Sequence, residues 1–239
     1  MKWRQTTMTT VKSNAEERLN LRGATRGIAM ALLAAFVFAA ASAPASANDP
    51  LWKKIDRAQL VKMLEGGRVG FVDRGLYPGK EMAESGVLIN AKPEEVWNVI
   101  TDFERYPKMI NQISKVEVLE KNAKFARIHF YMFLIKLGPV KVQTNYIQKW
   151  TLDKPKKITM TGDEPPKNGK KEIPSTWELL PTPDGKRTML FYTTISDLRD
   201  GGMIGGYMVD RQPTIQIGFD LANALTQTEA VKEQIEKKK

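Results

Sequence analysis

From Ile113 to Asp197 the chain is a succession of extended runs with no helical period between them: ISKVEVLEK (113–121), FARIHFYMFLIKL (125–137), VKVQTNYIQKW (140–150), KKITMTG (156–162), STWELLP (175–181) and RTMLFYTTISD (187–197). Gly138-Pro139 breaks two of them as a turn, and the stretch 182–186, TPDGK, is a hairpin signal. Runs joined in this way pair antiparallel, so the middle of the chain is a meander. In the 140–150 run strict alternation puts Val140, Val142, Thr144, Tyr146, Gln148 and Trp150 on one face. Such a face needs an apolar cover, and the end of the chain supplies it. After Pro213, Ile217, Leu221, Ala224, Leu225, Thr228 and Val231 recur at steps of three and four, with Gln216, Asp220, Asn223 and Gln227 on the other side. The expectation is an α+β fold, a curved antiparallel sheet wrapped around a long C-terminal helix. Bulky inward residues alternate with small ones, which leaves room for an internal apolar cavity of the kind that takes an apolar ligand.

The elements ahead of the meander are a strand over 80–90 and a helix beginning at Pro93. Proline suits a first helical turn, and Glu94 and Glu95 are favourable at the positive helix end. Val96, Trp97, Ile100 and Phe103 form its apolar face, and Tyr106-Pro107 is expected to stop it. Further upstream, 51–66 reads as one short helix ended by Gly66-Gly67, followed by a turn at RGLYPG.

The stretch INAKPEEVWNVITDFERYPKMI resembles the opening of the START and birch-pollen-allergen superfamily, in its polyketide cyclase and coenzyme Q-binding branch. The residues that carry the likeness are Pro93, Val96, Trp97, Asp102, Phe103, Tyr106 and Pro107. TWELLPTPDGKRTMLFY (176–192) is similar to the same family's tryptophan-bearing strand, glycine turn and return strand. The resemblance spans about 80–232. It implies a helix-grip fold with a cavity between sheet and C-terminal helix, and either binding of lipids, quinones, sterols and other apolar molecules or cyclase or dehydratase chemistry. It implies no cofactor. One fold hosts many functions, so both readings stay open, as does a third, an interaction module with a filled core and a basic surface for a protein or membrane partner.

The first 47 residues are a different material. Arg18, Arg22 and Arg26 precede the apolar run 28–41, and Ala45-Ser46-Ala47 is a small-x-small site before Asn48. That order is the pattern of a cleavable secretory signal peptide, and the apolar run is short for a membrane span. The expected organisation is a signal peptide over 1–47, an N-terminal extension with a short helix over 48–79, and the START-like domain over 80–239. The expected location is the periplasm, the alternative being a membrane anchor through an uncleaved N-terminus. The chain contains no cysteine, which removes disulfides, thiol catalysis and cysteine metal sites. Its net charge of +10 gathers in loops and tail, as in PPKNGKKE and EKKK. This suits solubility or transient contact with an anionic membrane surface, and no nucleic-acid motif accompanies it.

The candidate ligand-binding residues are Phe103, Met109, Phe130, Met132, Tyr146, Trp177, Tyr192, Met208, Ile217, Leu221 and Leu225. No metal-ligand spacing and no phosphate loop is present. His129, the single histidine, alternates with Ile128 and Phe130 and is expected to face solvent beside Arg127 and Tyr131. Asp163-Glu164 lies in a loop, poor pre-organisation for acid–base work. An enzyme would need a polar group inside the cavity, for which Tyr146, Tyr192 and Arg127 are candidates. The glycine-rich stretch Gly201–Gly206 is read as a hinge for a lid or a membrane-touching loop.

Overall fold

A computed structural model describes residues 49–77, 80–137, 140–163, 173–201 and 203–237. The segment read as a signal peptide, the turns at Pro78-Gly79 and Gly138-Pro139, and the basic loop 165–172 lie outside the described residues.

Eight antiparallel strands make one sheet: β1 (Val69–Asp73), β2 (Met82–Ile89), β3 (Ile113–Lys121), β4 (Phe125–Leu137), β5 (Val140–Asp153), β6 (Lys157–Gly162), β7 (Ser175–Pro181) and β8 (Thr188–Thr194). Their order across the sheet is β1-β2-β8-β7-β6-β5-β4-β3. The expected hairpin at 182–186 is present, with Gly185 at φ +68° and the Thr182 N–H donating to the Arg187 carbonyl at 2.9 Å. The long terminal helix, α5 (Thr214–Glu236), packs over β1, β2 and β8. It is fixed to β2 by polar contacts inside an apolar interface. The Ser85 hydroxyl donates to the Ala224 carbonyl at 2.7 Å and lies 3.2 Å from the Thr228 hydroxyl, and Lys232 Nζ donates to the Leu88 carbonyl at 2.8 Å. Around these contacts Ala224, Val231 and Ile235 are buried with Val87, Ile89 and Leu190.

Between β2 and β3 come α2 (Pro93–Ile100), a 3-10 turn (Phe103–Arg105) and α3 (Tyr106–Met109). The Glu95 carboxylate accepts the Lys92 N–H at 3.3 Å and closes the start of α2. The helix does not run on to Tyr106-Pro107 as its sequence suggests. It ends at Ile100, where the Thr101 hydroxyl turns back to the Trp97 carbonyl at 2.9 Å. Tyr106-Pro107 instead starts α3, with proline in its first turn, and the Tyr106 hydroxyl donates to the Ile100 carbonyl at 2.8 Å.

The other, convex face of β1, β2 and β8 has its own apolar cover. The run 51–66 is a 3-10 turn (Leu51–Lys54) followed by α1 (Arg57–Glu65), rather than one helix. Asp56 divides them because its carboxylate caps α1, accepting the Ala58 and Gln59 N–H groups at 2.9 and 3.2 Å. Trp52 stacks on Phe191 at 4.1 Å, and with Leu60 and Leu64 it buries Leu88 and Met189. The chain then returns as β1, a strand the turn signals of this region did not suggest, and adds an edge to β2.

This cover buries a carboxyl. Glu84 pairs across the sheet with Phe71 and Thr193 and is fully enclosed. One of its oxygens accepts the Leu51 N–H at 3.3 Å. The other oxygen, Asp73 Oδ2 and Trp52 Nε1 are buried without a hydrogen-bond partner among the described residues. Desolvation, with Asp73 adding to it against the Leu51 N–H, pushes the Glu84 pKa up from 4.5 to about 7. The folded state therefore holds this proton more tightly than the unfolded chain does. Its contribution to stability is complete below pH 4.5 and is lost as pH rises through about 7. The shift corresponds to roughly 3 kcal/mol at most. Glu84→Gln is expected to flatten the fall in stability between these pH values and to raise the melting temperature on the alkaline side, as read by denaturation at a series of pH values.

Candidate ligand-binding site

The concave face is closed at one end and loose at the other. At the closed end, where α5 finishes, Phe103 meets Trp150 edge-on at 5.0 Å. Tyr106 lies 5.8 Å from Phe130 and 6.2 Å from Trp150. These aromatics are almost fully enclosed, as are Ile128, Ile158, Trp177 and Leu179. Toward the opposite end, where α5 begins, three neighbouring elements lose cover together. On β5, Trp150 is 2% exposed and Tyr146 36%. On β4, Phe130 is buried and Met132 only partly so; on α5, Ala224 is buried and Ile217 partly so. Strand pairing keeps Met132, Thr144 and Tyr146 at that same end.

The loose end also carries the interior's hydroxyl groups. Tyr192 lies against Trp177 at 4.4 Å, and its phenol bonds to Thr194 and Ser175, whose hydroxyls are 3.0 Å apart. Tyr146 is stacked on Phe130 at 5.6 Å. Burial, and then the proximity of Tyr192, push the Tyr146 pKa well above the ordinary phenol value. Burial raises Tyr192 as well, opposed by its bonds to Thr194 and Ser175. Both phenols are neutral at physiological pH.

Asp220 closes this end from α5. It is fully enclosed and accepts from the Ser196 N–H at 3.1 Å, from the Ser196 hydroxyl, and from Gln216 Nε2 at 2.9 Å. Burial raises its pKa. With Gln216 Oε1 accepting the Leu198 N–H at 2.9 Å, this network ties the chain leaving β8 to α5.

Most of the candidate residues come together. Phe103, Phe130, Met132, Tyr146, Trp177 and Tyr192 share the concave side, with Met109 on α3 and Ile217 on α5 packed against the same cluster. Leu221 packs against this cluster too, and its side chain reaches with that of Leu225 over Gly70 on β1. Met208 is half-buried on α4 (Met203–Arg211) beside buried Val209. Alternation identified the face of each strand. It could not tell which flank of α5 met the edge strand: Asp220, Asn223 and Gln227 read as the side away from the sheet, yet Asp220 is fully enclosed and Asn223 and Gln227 are half-buried. Of two open surface depressions, one of about 210 Å³ is lined by Met132 and Thr144 of the loose end together with Lys115, Tyr131 and Asn145, and the other, of about 390 Å³, lies apart beside Arg68, Glu229 and Lys232.

The convex side of β3–β5 is a network of paired polar groups. His129 lies there, 3.0 Å from Asn145 Oδ1 and 3.1 Å from the Tyr131 hydroxyl, which donates to Glu117 at 3.0 Å. Arg127 binds Asp163, also reached by Lys149 at 3.3 Å, so neither Arg127 nor Asp163 faces the interior. Arg127 is thereby removed from the candidates for a polar group inside the cavity.

The model of the family described as polyketide cyclase / dehydrase and lipid transport matches residues 89–197. The fold is a helix-grip fold, an antiparallel sheet around a long C-terminal helix. A STAR-related lipid transfer protein fragment from Xanthomonas axonopodis superposes with a TM-score of 0.50 at 14% identity, covering 71% of this chain and 94% of that one. The Zhui aromatase/cyclase from Streptomyces sp. R1128 gives 0.48 at 20% identity, covering 66% and 94%. No curated protein matches the sequence.

The glycine-rich segment is not an open loop. A 3-10 turn (Leu198–Gly201) leads into α4, which contains both Gly205 and Gly206. A Cβ on Gly205 would lie 1.9 Å from the Leu198 carbonyl oxygen, whereas one on Gly206 would meet nothing nearer than 4.0 Å. Gly205 is therefore a packing glycine, and the hinge reading gives way to a helix seated on the turn before it. Gly205→Ala is expected to destabilise the protein by about 1–3 kcal/mol through backbone displacement. Gly206→Ala is expected to leave the melting temperature unchanged or slightly higher, as alanine is the better helix former.

Proposed function

We propose that this protein is an exported, periplasmic binder of a hydrophobic small molecule, such as a lipid, quinone or other isoprenoid, held between the concave face and α5. The observation that carries the reading is the parallel loss of cover on β4, β5 and α5 at one end of an interior that is tightly filled at the other. A ligand lying against Met132, Tyr146 and Ile217 would bury surface that side chains leave open, at roughly 25 cal/mol per Å². The lipid transfer protein with the same fold supports a carrier role, and the basic composition supports docking at an anionic membrane surface.

A second reading is catalysis of a cyclase or dehydratase type. It is favoured by two neutral phenols, Tyr146 and Tyr192, beside the open end, where they could donate a proton or polarise a carbonyl. Native mass spectrometry of protein purified gently from the periplasm, followed by organic extraction, tests the first reading. A co-purifying lipid or isoprenoid of unchanged structure is expected. An empty protein that also fails to take up a fluorescent lipid would overturn the binding reading. Conversion of an added polyketide-like or isoprenoid substrate, abolished by Tyr146→Phe or Tyr192→Phe, would replace it with the enzymatic one.

A further inference from the structure

We propose that the polar end of the bound molecule is uncharged, a hydroxyl or carbonyl held by the Tyr146 and Tyr192 phenols and the Ser175–Thr194 hydroxyl pair. The inference rests on the binding reading above and adds the chemical class of the ligand.

Four observations carry it. First, the groups offered at the loose end are neutral and capable of both donating and accepting. Tyr192 is bonded to Ser175 and Thr194, and Tyr146 stands nearby on the adjoining part of the face. Second, the flank of α5 opposite Leu221 and Leu225 continues the pattern with carboxamides. Asn223 and Gln227 are half-buried, and the Gln227 amide reaches Asn223 Oδ1 at 3.5 Å. Third, the ionisable side chain enclosed at this end is already committed. Both oxygens of Asp220 accept protein donors, from Ser196 and Gln216, which hold its carboxyl in the link between β8 and α5. Fourth, Arg127, Lys149 and Asp163, and Lys115 and Glu117, lie on the convex side and satisfy one another.

An anionic head placed against Tyr146, Tyr192 and the Ser175–Thr194 pair would lose hydration and meet only neutral hydroxyl donors in them. The desolvation that raises both phenols acts in the same direction on a phosphate or carboxylate. A hydroxyl or carbonyl exchanges its hydrogen bonds with water for bonds to these phenols and hydroxyls and bears no such penalty.

The test offers the purified full protein phosphatidylcholine vesicles doped with equal mole fractions of dioleoylglycerol, dioleoylphosphatidic acid, dioleoylphosphatidylglycerol, farnesol and squalene. Native mass spectrometry identifies what is captured. The three dioleoyl lipids share their chains, so their ratios report the head alone. Capture of dioleoylglycerol at least about tenfold above either anionic lipid is expected, with farnesol favoured over squalene. In Tyr146→Phe/Tyr192→Phe the farnesol-to-squalene ratio is expected to fall about threefold to tenfold, with the melting temperature held as the check on folding. Preferential capture of an anionic lipid or of phosphatidylcholine would overturn the inference and leave the binding reading standing. An unchanged farnesol-to-squalene ratio in the variant would overturn the assignment of the phenols. Capture of no lipid would overturn the binding reading and the inference with it.

Discussion

The contact of Phe103 and Tyr106 with Trp150 is the constraint on which the interior depends. α5 covers β1, β2 and β8 but leaves the concave face of β4 and β5 to another element. The turn after α2 reaches that half of the sheet and wedges its aromatics under it. Because the wedge enters at one end, it fills that end completely. The other end is left with side chains that touch on one side only. A curved sheet with one helix and one wedge thus ends up asymmetric along its strands, dense around Trp150 and open around Tyr146. The binding function proposed for the chain is a property of that asymmetry.

The two faces of the sheet are stabilised in different ways. The concave face is closed by α5 and by hydroxyl contacts that fix the helix without charge, such as Ser85 to Ala224. The convex face is half apolar, under Trp52 and α1, and half polar, with ion pairs on β3–β5. The apolar half costs stability where Glu84 and Asp73 are buried, each with one oxygen unpaired among the described residues. The segment before β1 is thereby coupled to pH through Glu84, and the concave side through Asp220, whose carboxyl burial also pushes up.

Much of the fold was legible because period and turn chemistry agreed. Alternation through 140–150 placed Tyr146 and Trp150 inward, and the 182–186 turn formed as its residues suggest. What was not legible depended on tertiary context. Val69–Asp73 is short and surrounded by turn residues, and becomes a strand only because β2 offers an unpaired edge. Glu84, in the middle of β2, reads as an outward polar residue, which it would be had 51–65 not folded over that face. The glycine-rich stretch 201–206 has low intrinsic helix propensity, yet α4 forms because Gly205 allows its backbone to seat on the Leu198 carbonyl. The amphipathic pattern of α5 named the side facing the sheet. It could not say that Leu221 would serve the β1 edge while Asp220 faced the β8 exit.

The most direct measurement of whether the loose end receives a ligand is to fill it. Met132→Trp and Ile217→Trp each place a large ring where apolar side chains are only partly covered. Binding of the neutral dye Nile red, measured together with the melting temperature, reports both consequences. If the space is open, each variant is expected to keep or raise its melting temperature and to lose dye affinity by about tenfold or more. Unchanged dye affinity, or a steep loss of stability from overpacking, would show that this end of the interior is not where an apolar molecule is held.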